Sequence, residues 1–199
     1  MLDPSFVQSC TKKEMLMPRP KTFDRDQAVD DSMNEIWRRG YEASSVKALS
    51  EMLGITRSSF YNAFDSREAL FKEALETYAA NAPDVILNQE PGERSIRSIF
   101  TQLFRDVCHA RAADAEARGC LAVNSIAELV GVEPKVGELL VKAVKAKLKR
   151  IEKLLALAVA GGEISDDGNL KGKALAIMNL LAGINLMSKV VRNEQELYL

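Results

Sequence analysis

The stretch that decides the fold is SVKALSEMLGITRSSFYNAF, which spans Ser45 to Phe64. Its apolar residues recur at helical spacing on both sides of a short turn, Gly54-Ile55-Thr56. Ser45 and Thr56 are residue types that cap helix N-termini, so each is expected to begin a helix. The segment therefore predicts a helix, a three-residue turn and a second short helix, which is the layout of a helix-turn-helix.

The second predicted helix of this pair has a polar face. Its residues are Thr56, Arg57, Ser58, Ser59, Tyr61 and Asn62. Hydroxyl groups donate to phosphate oxygens, and asparagine and arginine side chains pair with base edges. A merely solvated surface is the alternative, but such a surface has no need of an aromatic side chain such as Tyr61. On these residues alone, a face that binds nucleic acid and a solvated surface both stay open.

Composition sets the limits for the whole chain. It has 199 residues and a formal net charge of -1, with 47% hydrophobic and 28% charged residues. That is long enough for one or two domains with a real core, and it excludes collagen-like, low-complexity and fully disordered classes. Because the bulk charge is near zero, a nucleic-acid partner must be inferred from local residues.

Cysteine and histidine usage narrows the function classes. Cys10, Cys108 and Cys120 form no even disulfide framework, and the sequence shows no recognisable secretory leader. These features predict a cytoplasmic protein with reduced thiols. The single histidine, His109, excludes most zinc sites and most histidine-based catalysis. No metal and no cofactor are expected.

Helical periodicity continues along nearly the whole chain after Asp24, and no segment alternates like a strand, so the fold class is all-α. Pro83 and Pro91-Gly92 separate two units. We expect a flexible arm over 1–20 with Met15 and Met17 as alternative starts, a three-helix helix-turn-helix unit followed by a fourth helix over 21–81, and a helical C-terminal domain over 82–199. The C-terminal helices are expected at 93–111, 119–130, 134–160 and 170–192.

The last of these helices is apolar on nearly every side between Ala174 and Val191. A helix of this kind packs against another subunit, lies inside a core, or crosses a membrane. Asn179, Asn185 and Lys189 make a membrane crossing costly. The pattern favours a subunit interface, and we expect no membrane partner.

The run from Gly40-Tyr41 to Ala69-Leu70 closely resembles the N-terminal signature of the tetracycline-repressor (TetR) family. The opening Arg19-Pro20-Lys21 and Phe23-Asp24 resemble starts found in one branch of it. The resemblance implies a bacterial transcriptional regulator, usually a repressor, that binds a double-stranded DNA operator as a homodimer. It also implies a C-terminal domain that binds an effector and dimerises through its last two helices.

The resemblance further implies roles for individual positions. Those that match base- or phosphate-contacting positions of the recognition helix are Thr56, Arg57, Ser59, Tyr61 and Asn62. Ser45 matches a cap that touches phosphate, and Arg67 stands where the family usually has a phosphate-neighbouring lysine. Ser58 replaces a common glycine, and Asn62-Ala63 replaces a frequent histidine or arginine pair, so the operator sequence is not predicted.

Cys120 follows Gly119 at the expected start of a helix, where the positive end of the helix dipole, with Arg118 adding to it, favours the reactive thiolate. The alternative is a small core residue. Gly119-Cys120-Leu121 together with Gly183–Lys189 resembles a subset of the family that senses electrophiles or oxidants, which implies that Lys189 lies near Cys120. Cys108 is either a resolving thiol or a core cysteine beside an exposed His109.

Other inputs and other classes of protein stay open at this point. A non-covalent ligand in an apolar pocket is the second input, with Phe100, Leu103, Phe104 and Leu129 as candidate lining or plain core. A helical carrier or scaffold dimer without DNA binding explains the C-terminal half alone. A thiol-dependent enzyme would use Cys120 or Cys108 with His109, but the sequence shows no nucleophile–base–orienter set, so we expect no enzyme.

Overall fold

The computed structural model describes residues 23–198, and within that range every regular element is helical. The elements are α1 (Arg25–Arg39), α2 (Val46–Leu53), α3 (Arg57–Phe64), α4 (Arg67–Asn81), a 3-10 helix (Pro83–Asn88), α5 (Ile96–Ala113), α6 (Leu121–Leu129), α7 (Pro134–Ala160), α8 (Leu170–Met187) and α9 (Glu194–Tyr198). The all-α prediction is confirmed. The predicted arm over 1–20, its alternative starts and Cys10 lie outside the described residues.

Side-chain caps define the start of each N-terminal helix. Asp24 accepts from the Asp26 and Gln27 amides at the start of α1. The hydroxyls of Ser45, Thr56 and Ser66 likewise cap α2, α3 and α4. Each cap satisfies a backbone N–H that the helix itself leaves unpaired, and this is why the helix-turn-helix boundaries can be read from the sequence.

Gly54 ends α2 in the left-handed conformation, with a φ of 68°. A Cβ at this position would have nothing within 4 Å, so the glycine is needed for the turn and not for a close approach of the two helices. Ser50 is the small residue that is enclosed, with 3% exposure.

Hydrophobic side chains form clusters that run along the molecule. One unites α1 to α4 and contains Ala28, Val29, Leu49, Phe60, Phe64 and Leu70. A second joins α1 and α4 to α6 and α7, through residues that include Ile36, Tyr41, Phe71, Leu121 and Leu140. A third fills the space between α5, α7 and α8. The middle cluster packs the helix-turn-helix unit onto the C-terminal helices, and the domain boundary at 81/82 stays a prediction.

The structure corrects two element predictions. The 3-10 helix Pro83–Asn88 was not expected, and α7 holds it because Lys147 pairs with Asp84 and Arg150 donates to the Leu87 carbonyl at 2.6 Å. The helix expected over 170–192 is interrupted after Met187. There Arg192 folds back and donates to the Ser188 carbonyl at 2.6 Å. Both departures depend on side chains that reach carbonyls distant in sequence or beyond the helix end.

Helix α8 has 18 residues and a mean hydropathy of 1.2, yet only 17% of it is buried within the single chain. Leu180 and Leu186 are 60% and 59% exposed on its outer side. The alternative of an interior helix is therefore wrong. By length and composition alone, α8 is also long and apolar enough to cross a membrane, but a single helix of this kind is weak evidence for a membrane protein.

The packing of α3 on the N-terminal core can be tested by comparing two phenylalanines. Phe60 is fully buried, with 0% exposure, whereas Phe23 is 40% exposed and meets Phe64 edge-on at 6.1 Å. Replacing Phe60 by alanine leaves a cavity and is expected to lower the free energy of unfolding by about 3–5 kcal/mol. Phe23→Ala is the matched control, with an expected loss of about 1 kcal/mol or less. Urea denaturation followed by circular dichroism measures both, and equal losses would contradict the packing described.

Candidate nucleic-acid interface

Helix α3 presents opposite faces to the core and to the outside. Phe60 and Phe64 are 0% and 1% exposed and fix the helix on the N-terminal core. All the polar residues predicted on this segment are exposed, namely Thr56, Arg57, Ser58, Ser59, Tyr61 and Asn62. Tyr61 is 50% exposed, and its ring stands edge-on to that of Phe60 at 5.8 Å. The structure therefore gathers the predicted contact residues on one outward surface.

The hydroxyls at the helix starts are used locally, but they keep donor capacity. Thr56 Oγ1 accepts from the Ser59 amide at 3.1 Å, and the two side-chain hydroxyls lie 2.9 Å apart. Ser45 Oγ accepts from the Ala48 amide at 3.2 Å. Because a hydroxyl that accepts such a bond still has its own O–H, Ser45 retains a donor for an external acceptor.

Arg67 is held within the protein. Its guanidinium lies 3.9 Å from the centre of the Tyr41 ring and donates to the Tyr41 carbonyl at 3.5 Å and to Glu42 at 3.4 Å. Its side chain is 21% exposed. The observed role is to brace the α1–α2 turn, and the phosphate contact stays a prediction.

Behind the helix-turn-helix lies a buried polar cluster that the sequence reading missed. Arg111 on α5 is 4% exposed and donates from Nε to Asn185 at 2.5 Å and from a terminal nitrogen to the Tyr78 hydroxyl at 2.8 Å. The Tyr78 ring meets Trp37 of α1 edge-on at 5.0 Å. The signal was present, since Arg111 continues the apolar stripe that includes Leu103 and Val107 of α5.

Cys120 adjoins this cluster. Burial, and next the neighbouring Cys120 thiol, raises the pKa of Tyr78, while Arg111 opposes the shift. Cys120 is the N-cap residue of α6 and is partly buried. A Cβ on Gly119 would lie 3.0 Å from Lys189 Cε, so the Lys189 side chain passes close to Gly119. A contact between Lys189 and Cys120 itself stays a prediction.

Arg118 is held by partners on two other segments. Its guanidinium pairs with Asp114 at 3.2 Å and lies 3.9 Å from the centre of the Trp37 ring. In this position Arg118 links the loop before α6 to α1. Its effect on the Cys120 thiol stays a prediction.

Cys108 is a core residue with 0% exposure. Burial, and then the Glu194 carboxylate, raises the pKa of its thiol. His109 points outward, with its Nδ1 2.8 Å from Glu194 Oε2. The arrangement matches the core-cysteine alternative, and the role of Cys108 as a resolving thiol stays a prediction without structural support. Among residues 23–198, no group of three or more His, Cys, Asp or Glu side chains is placed to hold a metal.

A cavity of about 570 Å³ opens between α5, α7, α8 and α9. Of the predicted lining residues, Phe100 and Phe104 face it, whereas Leu103 and Leu129 belong to the packed core with 0% exposure. Arg97, Thr101 and the hydroxyl of Tyr198 provide its polar groups. The walls are otherwise apolar, so the space suits an apolar or aromatic molecule.

Comparison with known proteins agrees with this architecture. Residues 29–74 match the family model "Bacterial regulatory proteins, tetR family", and residues 100–198 match "Tetracyclin repressor-like, C-terminal domain". The chain belongs to the TetR family. It is 26% identical over 184 residues to the HTH-type transcriptional repressor ComR of Escherichia coli K12, which covers 90% of this chain and 85% of ComR.

Solved structures extend the likeness. The TetR family transcriptional regulator CifR, as a cysteine mutant complexed with 26-bp double-strand operator DNA, superposes with a TM-score of 0.78 at 28% identity, covering 90% of this chain and 94% of CifR. The reduced form of E. coli NemR gives 0.71 at 20% identity, over 87% and 90% of the two chains, and at that identity shows the fold alone. The predictions of family and fold are confirmed, and the cysteine-sensing subset stays a prediction.

The two described cysteines differ in access to solvent, because Cys108 is fully enclosed in α5 and Cys120 is partly exposed at the start of α6. N-ethylmaleimide is expected to label Cys120 faster than Cys108 on the order of tenfold, since labelling of Cys108 requires local opening. A time course with peptide mass spectrometry measures the two rates, with urea-unfolded protein as the control. Equal rates in the folded protein would contradict this placement.

Proposed function

We propose that this chain is a homodimeric, cytoplasmic transcriptional repressor that binds a pseudo-palindromic operator through α3 and leaves it when an effector acts on the C-terminal domain. The observation that carries the proposal is the outward polar surface of α3 with the exposed Tyr61. ComR is named as a repressor and CifR is bound to operator DNA, which supports the same role here. A carrier or scaffold would leave this surface without a purpose.

In the proposed complex, α3 enters the major groove and α2 lies across the backbone. Arg57 and Asn62 are exposed on α3 and suit base edges, because their side chains form paired hydrogen bonds there. The hydroxyls of Ser45, Thr56 and Ser59, with Ser58 and Tyr61, suit phosphate oxygens. Arg67 reaches a phosphate only by leaving Tyr41 and Glu42.

A second copy of the chain is the proposed cover for the outer side of α8. Leu175, Leu180 and Leu186 are 51%, 60% and 59% exposed, and Leu157 of the neighbouring α7 is 41% exposed. Pairing α7 and α8 with their copies forms a four-helix interface with two-fold symmetry. Two α3 helices then face half-sites about 34 Å apart, or a multiple of that distance.

The proposed effector is a thiol-reactive electrophile that acts at Cys120. The thiol first gives its proton to solvent or to a base, and the thiolate sulfur then adds to the electrophilic carbon of an activated double bond, as in N-ethylmaleimide. The carbon–carbon π bond breaks, and the enolate that forms takes up a proton from solvent. Cys120 adjoins Tyr78, and Tyr78 contacts Trp37 on α1, so the added group strains contacts that reach the DNA-binding unit. A shift in the population of conformations then weakens operator binding. The second candidate is an apolar ligand in the cavity of about 570 Å³.

The DNA-binding surface is tested with Tyr61→Ala, using the operator selected from random duplex DNA by the wild type. Loss of the side chain with its phosphate-facing hydroxyl is expected to weaken operator binding by about 1.5–3 kcal/mol, roughly a tenfold to 150-fold rise in Kd, with the fold and the dimer intact. Fluorescence anisotropy and sedimentation measure these. Tyr198→Ala is the matched control, since Tyr198 is 43% exposed at the opposite end of the chain. Unchanged affinity in Tyr61→Ala would refute a contact through this side chain.

The effector mechanism is tested with Cys120→Ser in a background in which Cys10 and Cys108 are also serine. N-ethylmaleimide is expected to raise the operator Kd at least about tenfold when Cys120 is present and to leave the Kd unchanged when it is absent, because no thiolate remains to react. Anisotropy titrations before and after treatment provide the comparison. Equal loss of binding in both proteins would end the proposal for Cys120 and leave the cavity ligand as the candidate.

A further inference from the structure

Glu128, in the last turn of α6, binds the backbone of the turn between α1 and α2. Its Oε2 accepts from the Tyr41 amide at 3.1 Å, and its Oε1 accepts from the Glu42 amide at 2.9 Å. Both carboxylate oxygens of Glu128, a residue of the C-terminal domain, thus accept hydrogen bonds from the helix-turn-helix unit. Hydrogen bonds to an ionised group are about twice as strong as neutral ones, so this contact is well suited to fix a position.

The turn fits closely around that carboxylate. Gly40 has a φ of +87°, and a Cβ there would lie 3.0 Å from Glu128 Oε2. Tyr41 is 0% exposed and packs edge-on against Phe71 at 5.1 Å. From the other side Arg67 lies over the Tyr41 ring at 3.9 Å. The turn is therefore held from both α6 and α4.

The same turn leads directly into the DNA-binding helices. Ser44 Oγ donates to the Gly40 carbonyl at 2.7 Å, and the next residue, Ser45, caps α2. Helices α2 and α3 share a core in which Leu49 and Phe60 are both 0% exposed. A displacement of the turn is therefore transmitted to α3, because close-packed helices move together.

We propose that Glu128 is a positioning residue for DNA recognition, which sets the orientation of α3 relative to the dimerising helices and so the spacing of half-sites that the dimer accepts. This inference rests on the proposed dimeric operator binding. In a two-fold dimer, a tilt of each helix-turn-helix unit changes the distance between the two α3 helices. Cys120 lies at the other end of α6, so one helix carries both the proposed reactive thiol and the carboxylate that holds the turn.

The test compares wild type with Glu128→Gln on a set of operators built from the selected sequence. Glutamine keeps the size of the side chain but offers one carbonyl oxygen where two amides need acceptors. The set has the native half-site spacing, spacings one base pair shorter and longer, and a duplex with a single half-site. Wild type is expected to prefer the native spacing at least about tenfold over the altered ones.

In Glu128→Gln the spacing preference is expected to fall below about threefold, while affinity for the single half-site stays within about twofold of wild type. A purely structural role would not produce this split, because it lowers affinity for every duplex by the same factor. Uniform loss, or an unchanged preference, would overturn the inference. Circular dichroism confirms the fold, and Glu128→Asp, whose shorter side chain cannot reach both amides, is the second variant with the same expected outcome.

Glu163 supplies a matched control within the C-terminal domain. Its carboxylate accepts from the Ile96 and Arg97 amides at 2.8 and 2.9 Å, so Glu163→Gln removes the same kind of contact without touching the α1–α2 turn. This variant is expected to keep the wild-type spacing preference. An equal fall in the spacing preference of Glu163→Gln would refute a specific role of Glu128. If the wild type selects no sequence at all, the proposed function fails first, and that result is distinct from a failure of the spacing assay.

Discussion

The eight residues of α3 are too few to form a stable helix alone in water, so the surface that they present depends on packing. Phe60 and Phe64 supply that packing from one side of the helix, and the Thr56 cap fixes its first turn. Because these two aromatic rings are buried in the core, the polar side chains on the opposite side of α3 face outward. The outward surface of α3 therefore depends on the N-terminal core, and a substitution that loosens this core also weakens DNA binding.

Contacts between the N-terminal helices and the C-terminal helices determine how the α3 surface is oriented in the molecule. Arg111 lies buried, and its guanidinium donates to the neutral side chains of Tyr78 and Asn185 and lies 5.8 Å from the centre of the Trp37 ring. A buried charge held by neutral partners depends on the exact direction of each hydrogen bond. Directional hydrogen bonds of this kind favour one orientation of the helix-turn-helix unit relative to the C-terminal helices. Apolar packing alone specifies that orientation less strictly.

Local chemistry made much of the fold predictable. Ser45, Thr56 and Ser66 act on amides a few residues away, and the periodicity of α7 gave its bounds correctly at both ends. The polar face predicted from Thr56 to Asn62 does lie outward, because Phe60 and Phe64 bury the opposite side of α3. The errors arose where distant residues decide. Arg67 turns to Tyr41, and Arg192 ends the last long helix early by binding carbonyls of α5. Glu128 gave no local signal, because its partners lie more than eighty positions away.

Leu180, Leu186 and the other outward apolar side chains of α8 bear on how the molecule behaves in dilute solution. If a second copy covers them, every unfolding event also separates two chains, and the melting temperature rises with protein concentration. A regulator present at few copies per cell would then lose folded structure and DNA occupancy together as its concentration falls. The cellular concentration of the protein would then limit how fully it occupies its operator, whether or not an inducing compound is present.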